Sequence, residues 1–291
     1  MTIHFNIEYK TVFGEQLVLN IQKGDEELKF PMTTLNGERW SFDWCVEQPE
    51  KVYTYYYSVE RDGRVLKTEW LLVKHRLELN ATKADEFTLY DSWKVIPEDA
   101  YLYSSAFTDC INHQAPEELA MQNCAKTVRL IVRAPQLRDG ERLGLVGADN
   151  VLGAWNAEKM LKMTQHTYNE WVADLDAAHL QTAHMEFKFV AYNEKKDLLF
   201  WETGMNRTID LPEMKAGDAI AYELDQAFFA LYNRKVAGTL VPVFSLRSEK
   251  SAGVGDFGDL KTMIDLVAST GQKVLQLLPI NDTTITHTWT D

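Results

Sequence analysis

The chain has 291 residues, enough for two or three domains at roughly 100 to 200 residues each. With 45% hydrophobic and 25% charged residues, its composition is that of a folded globular protein and excludes a disordered one. Its 43 acids against 30 bases give a net charge of −13, which disfavours nucleic acid or an anionic membrane as partner and leaves a neutral polysaccharide without electrostatic penalty.

Met1 to Lys10 carry charges and lack the apolar run of a secretory leader, and no stretch approaches the roughly 18 to 20 apolar residues of a membrane span. Cys45, Cys110 and Cys124 stand far apart without metal or disulfide spacing, which suits a reducing compartment, so a cytoplasmic location is expected. The histidines are scattered, and neither a metal site nor a cofactor is expected.

In chain order, residues 1–96 read as short strands. Ile3 to Tyr9 alternate, Gln16 to Ile21 follow the turn at Phe13-Gly14-Glu15, and Trp40 to Val46 alternate again. Tyr53 to Val59 and Arg64 to Trp70 flank Glu60-Arg61-Asp62-Gly63, a strong hairpin signal. About seven such strands predict a β-sandwich. Residues 97–125 lose the alternation: Pro97, Asn112 and Pro116 interrupt a connector whose Tyr101 and Phe107 are apolar enough to cover a neighbouring sandwich, with one helical turn expected from Glu117 to Gln122.

A second sandwich is predicted over residues 126–226. In Phe187-Lys188-Phe189-Val190 the aromatics share one face and Lys188 takes the other. Trp155 lies in the glycine-bearing turn Leu152-Gly153-Ala154-Trp155-Asn156, and Trp201 lies at a strand end beside Glu202. Two such indoles outside alternating runs point to a flat stacking platform, with Lys188, Glu202 and Asn206 supplying polar contacts to sugar hydroxyls. The competing reading for any tryptophan is a place in the core. Trp171 carries that alternative most directly, since Trp171-Val172-Ala173-Asp174-Leu175 alternates.

The ordered set Gly140-Glu141, Leu152-Gly153-Ala154-Trp155-Asn156, Phe187-Lys188-Phe189-Val190, Trp201-Glu202 and Asn206-Arg207 resembles the starch-binding domains of carbohydrate-binding module family 20, over about Thr127 to Leu211. The resemblance implies a main glucan site at Trp155, Lys188, Trp201 and Asn206. A second site of that family falls on Asp139, which cannot stack on a sugar, and on Tyr168 to Trp171, so Tyr168 and Trp171 are expected as weaker contacts at most.

The same order repeats in the first segment at a period of roughly 130 residues, a domain duplication: Gly14-Glu15 answers Gly140-Glu141, Trp40 answers Trp171, and Trp70 answers Trp201. The first copy has no Leu-Gly-x-Trp turn, and Trp70 is the one glucan contact it is expected to keep.

Residues 235–291 change pattern. Val236 to Phe244 are largely apolar, Asp259 to Thr270 have helical spacing and a stop at Gly271, and Lys273 to Ile280 form an apolar run, giving strand, helix, strand as in a β/α barrel. Asp259 reads as a helix N-cap or first-turn acid, and Gly253 to Gly258 lack the features of a phosphate loop. Val241 to Ser248, Gly253 to Leu260 and Gln276 to Asp282 resemble the opening of the 4-α-glucanotransferase barrel of glycoside hydrolase family 77.

The expected architecture is therefore mainly β: two tandem immunoglobulin-like sandwiches followed by the first elements of a truncated β/α barrel. The resemblance implies the α-1,4-glucan-binding region of a retaining glucanotransferase, itself inactive because the family's catalytic carboxylates lie further along the barrel. A stand-alone glucan adaptor and a protein-binding sandwich are the competing functions. The barrel segment is expected to be loosely packed or to lean on the second sandwich, because one apolar strand without neighbours cannot cover its faces.

Overall fold

The computed structural model describes all residues except 48, 80, 81, 112–118, 139, 168, 194, 196, 197, 231–236, 252 and 281–291, and gives the backbone alone for 109–111 and 198. Asp139, Tyr168 and Asp282 thus lie outside the described residues, as do the first two residues of the helical turn expected at Glu117 to Gln122; its described remainder, 119–122, is not helical. The chain divides into two compact units, Met1–Thr108 with Asn112–Tyr232, and Asn233–Asp291 with Asp109–Ile111.

In the first unit, strands β1 (Thr2–Glu8), β2 (Gln16–Lys23), β3 (Glu26–Pro31), β4 (Thr33–Thr34), β5 (Arg39–Cys45), β6 (Val52–Arg61), β7 (Arg64–Thr68), β8 (His75–Glu78) and β9 (Glu86–Ser92) build one sandwich. Strands β10 (Thr127–Arg133), β11 (Arg142–Gly147), β12 (Leu161–Lys162), β13 (Thr164–Thr167), β14 (Glu170–Asp176), β15 (His184–Asn193), β16 (Leu198–Trp201), β17 (Arg207–Asp210) and β18 (Ala219–Glu223) build the other. Local chemistry sets several connections. The hairpin between β6 and β7 turns on Asp62 and Gly63, both at positive φ, the conformation a tight two-residue hairpin needs. Gly14 and Gly140 also have positive φ, and the following glutamates act alike: the Glu15 carboxylate accepts from the Val12 N–H and the Glu141 carboxylate from the Arg138 N–H.

Pairing exposes the duplication. The order β3-β2-β6-β7, with β8 also on β6, repeats as β12-β11-β15-β16 with β17 on β15. The remaining strands form a single eight-stranded sheet, β13-β14-β10-β18-β9-β1-β5-β4, in which each half mirrors the other about the parallel pair β9 and β18. Two copies related in this way present opposite faces of the shared sheet to their own cores. Ala219 and Ala221 on β18 join the first core with Phe5, Leu19, Tyr57 and Phe87, whereas Ile220 and Tyr222 on the same strand join the second core with Leu130, Trp171, Phe187 and Phe189. Strand periodicity alone produces this division, since neighbours along a strand point to opposite faces.

A buried ionic network spans the junction. Glu223 of β18 lies 2.6 Å from His75 Nδ1, 2.7 Å from Lys94 Nζ and 2.7 Å from Arg133 Nη1. Arg133 also reaches Glu170 at 2.9 Å, His75 Nε2 lies 3.0 Å from Glu69, and Asp91 accepts from the hydroxyls of Tyr55 and Tyr57. Burial alone lowers the pKa of His75, but the carboxylates of Glu69, Glu223 and Asp91 together outweigh burial and the opposing charge of Lys94, and hold it up at about 9.

The second unit contains β19 (Gly238–Val241) and β20 (Val274–Leu277), paired in parallel, with helix α1 (Phe257–Ser269) between them in sequence. Asp256 caps α1: its carboxylate accepts from the N–H groups of Gly258 and Asp259, and the Asp259 carboxylate accepts from the Asp256 N–H in return. Leu240, Phe244, Phe257, Ile264 and Leu266 remain exposed, as a two-stranded unit has too little surface to cover them.

A histidine whose folded pKa is raised stabilises the fold fully below its unfolded value near 6.5, and that contribution is lost as pH climbs through about 9. Urea denaturation should therefore show stability falling between pH 6.5 and 9.5 by on the order of 2 kcal/mol. Deprotonation of the facing Lys94, whose pKa is lowered, acts in the opposite sense. The His75→Gln variant isolates the histidine, since its stability should lack this fall.

Candidate functional site

The turn that carries Trp155 is fixed before any ligand arrives. Asp149 organises it: one carboxylate oxygen accepts from the Val151 N–H at 2.9 Å, the other from the Gln181 N–H at 2.7 Å, and its backbone carbonyl accepts from Ala154. The chain then runs through three successive left-handed residues, Gly153, Ala154 and Trp155, at φ of 87°, 47° and 60°. Glycine is required at 153, where a Cβ would stand 2.7 Å from the Lys159 carbonyl oxygen. Ala154 and Trp155 have no such exemption and hold strained conformations costing on the order of 1 kcal/mol each. The Trp155 N–H, donated to the Gly147 carbonyl at 2.8 Å, locks the strain in place and leaves the residue 37% exposed.

Trp201 arrives from the neighbouring strand. It pairs with Val190 on β15, and paired residues share a face. Phe187 and Phe189 fill the core from one face of β15, so Glu186, Lys188, Val190 and Trp201 belong to the other, and Trp201 is 41% exposed. Lys188 is a diagonal neighbour of Trp201, and its ammonium donates to the carbonyls of Gly204 at 2.6 Å and Glu202 at 3.2 Å. Two of its three N–H donors thereby hold the turn after Trp201. Asn206 donates to the Glu186 carboxylate at 2.7 Å, which leaves its amide oxygen and second N–H as hydrogen-bonding capacity. The Trp155 turn meets the same strand, since Gly147 pairs with Phe187 and the Ala148 N–H donates to the Glu186 carbonyl. Trp155, Lys188, Trp201 and Asn206 are thus gathered around Glu186 to Lys188 of β15.

Glu202 departs from expectation. It is 5% exposed, its carboxylate pairs with Arg207 at 2.6 Å, and it accepts from the Phe189 N–H at 3.3 Å, so it anchors the turn and presents nothing to a ligand. Trp171 is also corrected: it is 2% exposed inside the second core, because its strand alternation faces it inward. Trp70 does not occupy the place of Trp201. Glu69 accepts from the Tyr57 N–H as Glu202 does from Phe189, and Ser58 pairs with Thr68 as Val190 does with Trp201. Thr68 is therefore the counterpart of Trp201, and Trp70 packs edge-on against Tyr103 at 5.1 Å.

Sequence reasoning overlooked Asp149 and Glu186. An aspartate two residues before the N–H it accepts from is a recognisable turn signal, and Glu186 alternates with Lys188 on the outward face; Arg207 stands in the sequence only as the end of the Asn-Arg motif. The buried trio His75, Asp91 and Glu223 has ligand atoms within 4.8 Å of one another. Lys94 and Arg133 already neutralise Glu223, and two tyrosine hydroxyls bind Asp91, so this cluster is an ionic network whose cation positions are filled by side chains.

The motif order and this arrangement of two indoles agree with a family match. Residues 126–220 match the starch binding domain model of carbohydrate-binding module family 20. Residues 241–290 match the 4-alpha-glucanotransferase family model. The chain is 27% identical to 4-alpha-glucanotransferase DPE2 of Oryza sativa subsp. japonica over 313 residues, covering 100% of this chain and 32% of that protein. It is 54% identical over 46 residues to a 4-alpha-glucanotransferase of Chlamydia trachomatis, covering 16% of this chain and 9% of that one. The chain thus spans about a third of the length of the rice relative. Among solved structures, the family 20 module of a maltotetraose-forming amylase from Pseudomonas saccharophila superposes with a TM-score of 0.27 at 20% identity, over 34% of this chain and 99% of that one.

In the matched segment the Glu202 to Arg207 pair is structural, and removing one partner leaves a charge without its counter-ion. Glu202→Ala should lower unfolding stability by about 3 kcal/mol in urea titrations, well beyond an exposed-site substitution.

Proposed function

We propose that residues 126–220 bind α-1,4-glucan through Trp155 and Trp201, with Asn206 and the remaining donor of Lys188 meeting sugar hydroxyls. We further propose that the chain is the glucan-binding region of a cytoplasmic 4-alpha-glucanotransferase whose partners are starch, glycogen or maltooligosaccharides, with neither nucleic acid nor membrane among them. The observation that carries this reading is the pair of half-exposed indoles gathered at one stretch of β15, Trp155 by a tethered, strained turn and Trp201 by its strand pairing. Aromatic planes offer large contact area with few torsions to freeze, and the pre-set loops leave little further ordering for a ligand to impose.

On this reading the binding modules retain a long glucan near the transferring domain and raise its local concentration. The reaction implied is retaining transfer: a carboxylate displaces the leaving sugar to form a glucosyl-enzyme intermediate, an acid protonates the departing oxygen, and a second sugar hydroxyl replaces water as acceptor. The role of these 291 residues is binding. Within the segment that matches the glucanotransferase family, Asp259 accepts from the hydroxyls of Ser248 and Ser251, and Asp256 caps α1, so both carboxylates are occupied in structure.

Affinity electrophoresis through amylopectin tests the proposal. The chain should be retarded, and Trp155→Ala and Trp201→Ala should each weaken binding by about 1 to 3 kcal/mol with an unchanged circular dichroism spectrum. Unretarded migration of the unsubstituted chain would remove the glucan reading.

A further inference from the structure

The duplicated sandwich creates two equivalent corners, one on each face of the shared sheet, where the outward face of one half meets the second sheet of the other copy. At the first corner β8 approaches the outward face of the second half. Glu78 of β8 lies 2.6 Å from His166 of β13, the buried Arg129 binds Asp174 through two nitrogens at 2.7 and 2.8 Å, and the space left is only about 20 Å³.

At the second corner β17 approaches the outward face of the first half, and the residues that would close it are replaced. Glu78 pairs with Val52 as Asp210 pairs with His184, so Asp210 is its counterpart. Thr33 pairs with Ser41 as Thr164 pairs with Val172, so Leu35 stands where the other copy has His166. Asp210 bonds to His184 of its own copy instead, and Leu35 is fully exposed. The buried pair of Arg133 with Glu170 has its counterpart in the solvated pair of Glu8 with Arg39, at 3.0 Å with the charges exchanged. The outcome is an open groove of about 1160 Å³.

Its lining combines stacked rings with hydroxyls and carboxylates. Tyr222, which is buried, backs the half-buried Tyr90 in a parallel stack at 4.7 Å, and both line the groove with Ser41, Thr33 and Thr208. Glu8, Asp210 and Asp225 make it acidic, and Arg39 is already paired, so an anion is disfavoured while hydroxyl donors find acceptors. The volume exceeds the roughly 300 to 1,000 Å³ of a small-molecule pocket and suits a chain rather than a single unit. The wall β17 begins at Arg207, directly after Asn206 of the indole site, and reaches Asp210 within about 13 Å of strand.

We propose that this groove is a second binding site for a neutral oligosaccharide, an extension that takes a further stretch of the glucan held at Trp155 and Trp201. The inference rests on the glucan-binding reading of the indole site, and titration calorimetry with maltoheptaose separates the two. The 291-residue chain should bind, and the Trp155→Ala, Trp201→Ala double variant should retain a weaker site. Adding Ser41→Trp, which fills the floor, or Leu35→Ala, which trims a fully exposed rim and cannot disturb the core, should weaken that residual binding at least about fivefold. A double variant that binds no maltoheptaose, or residual binding indifferent to both additions, overturns the groove and leaves the indole site standing. An unsubstituted chain that binds none overturns both.

Discussion

The parallel pairing of β9 with β18 is the constraint from which the first unit follows. By continuing one sheet through both sandwiches, it buries the two edges that separate domains would expose and fixes which face each core occupies. Glu223 at the end of β18 then meets His75, Lys94 and Arg133 in an interior where an unpaired charge is costly, so the copies are joined by charge as well as by backbone. The arrangement leaves no freedom for one sandwich to turn against the other without breaking both sets of bonds. The Trp155 and Trp201 site on one copy is therefore held at a set place relative to the other.

Around this frame, equivalent positions have diverged in use. Glu69 with His75 and Glu202 with Arg207 both hold a carboxylate against the strand paired beside it, yet the first pair feeds the central network and the second supports the exposed turn after Trp201. Thr68 and Trp201 share one register position, and only the second copy places an indole there. The indole site thus belongs to the second copy, while the first contributes the floor of the open groove. Duplication supplied two scaffolds, and a few side chains decided which surface each leaves open.

Much of the indole site was legible because its signals are local. The glycine-bearing turn of Trp155 and the alternation around Lys188 depend on near neighbours in sequence, and strand periodicity converts them into facing directions. Glu202 was misread because its neighbour Trp201 is exposed. One step along a strand reverses the face, and Arg207, five residues on, supplied the buried partner. Trp171 carried both readings, and its alternation favoured the core position it occupies. Equating Trp70 with Trp201 failed for a related reason: similar residues were matched by type, whereas hydrogen-bond register places Glu69 opposite Glu202 and moves Trp70 beyond the strand.

By itself the sequence determined the strands, the hairpin at Asp62-Gly63, the repeated Gly-Glu turns, the two outward indoles and the first-turn acid Asp259 of α1, because each is set by residues within a few positions of one another. Only the tertiary structure decided that the copies share one sheet, that His75 and Glu223 meet, and that one corner closes on His166 while its counterpart opens at Leu35. Those outcomes depend on pairing between strands more than a hundred residues apart, and register across such a distance is fixed by burial of both faces at once rather than by any local pattern.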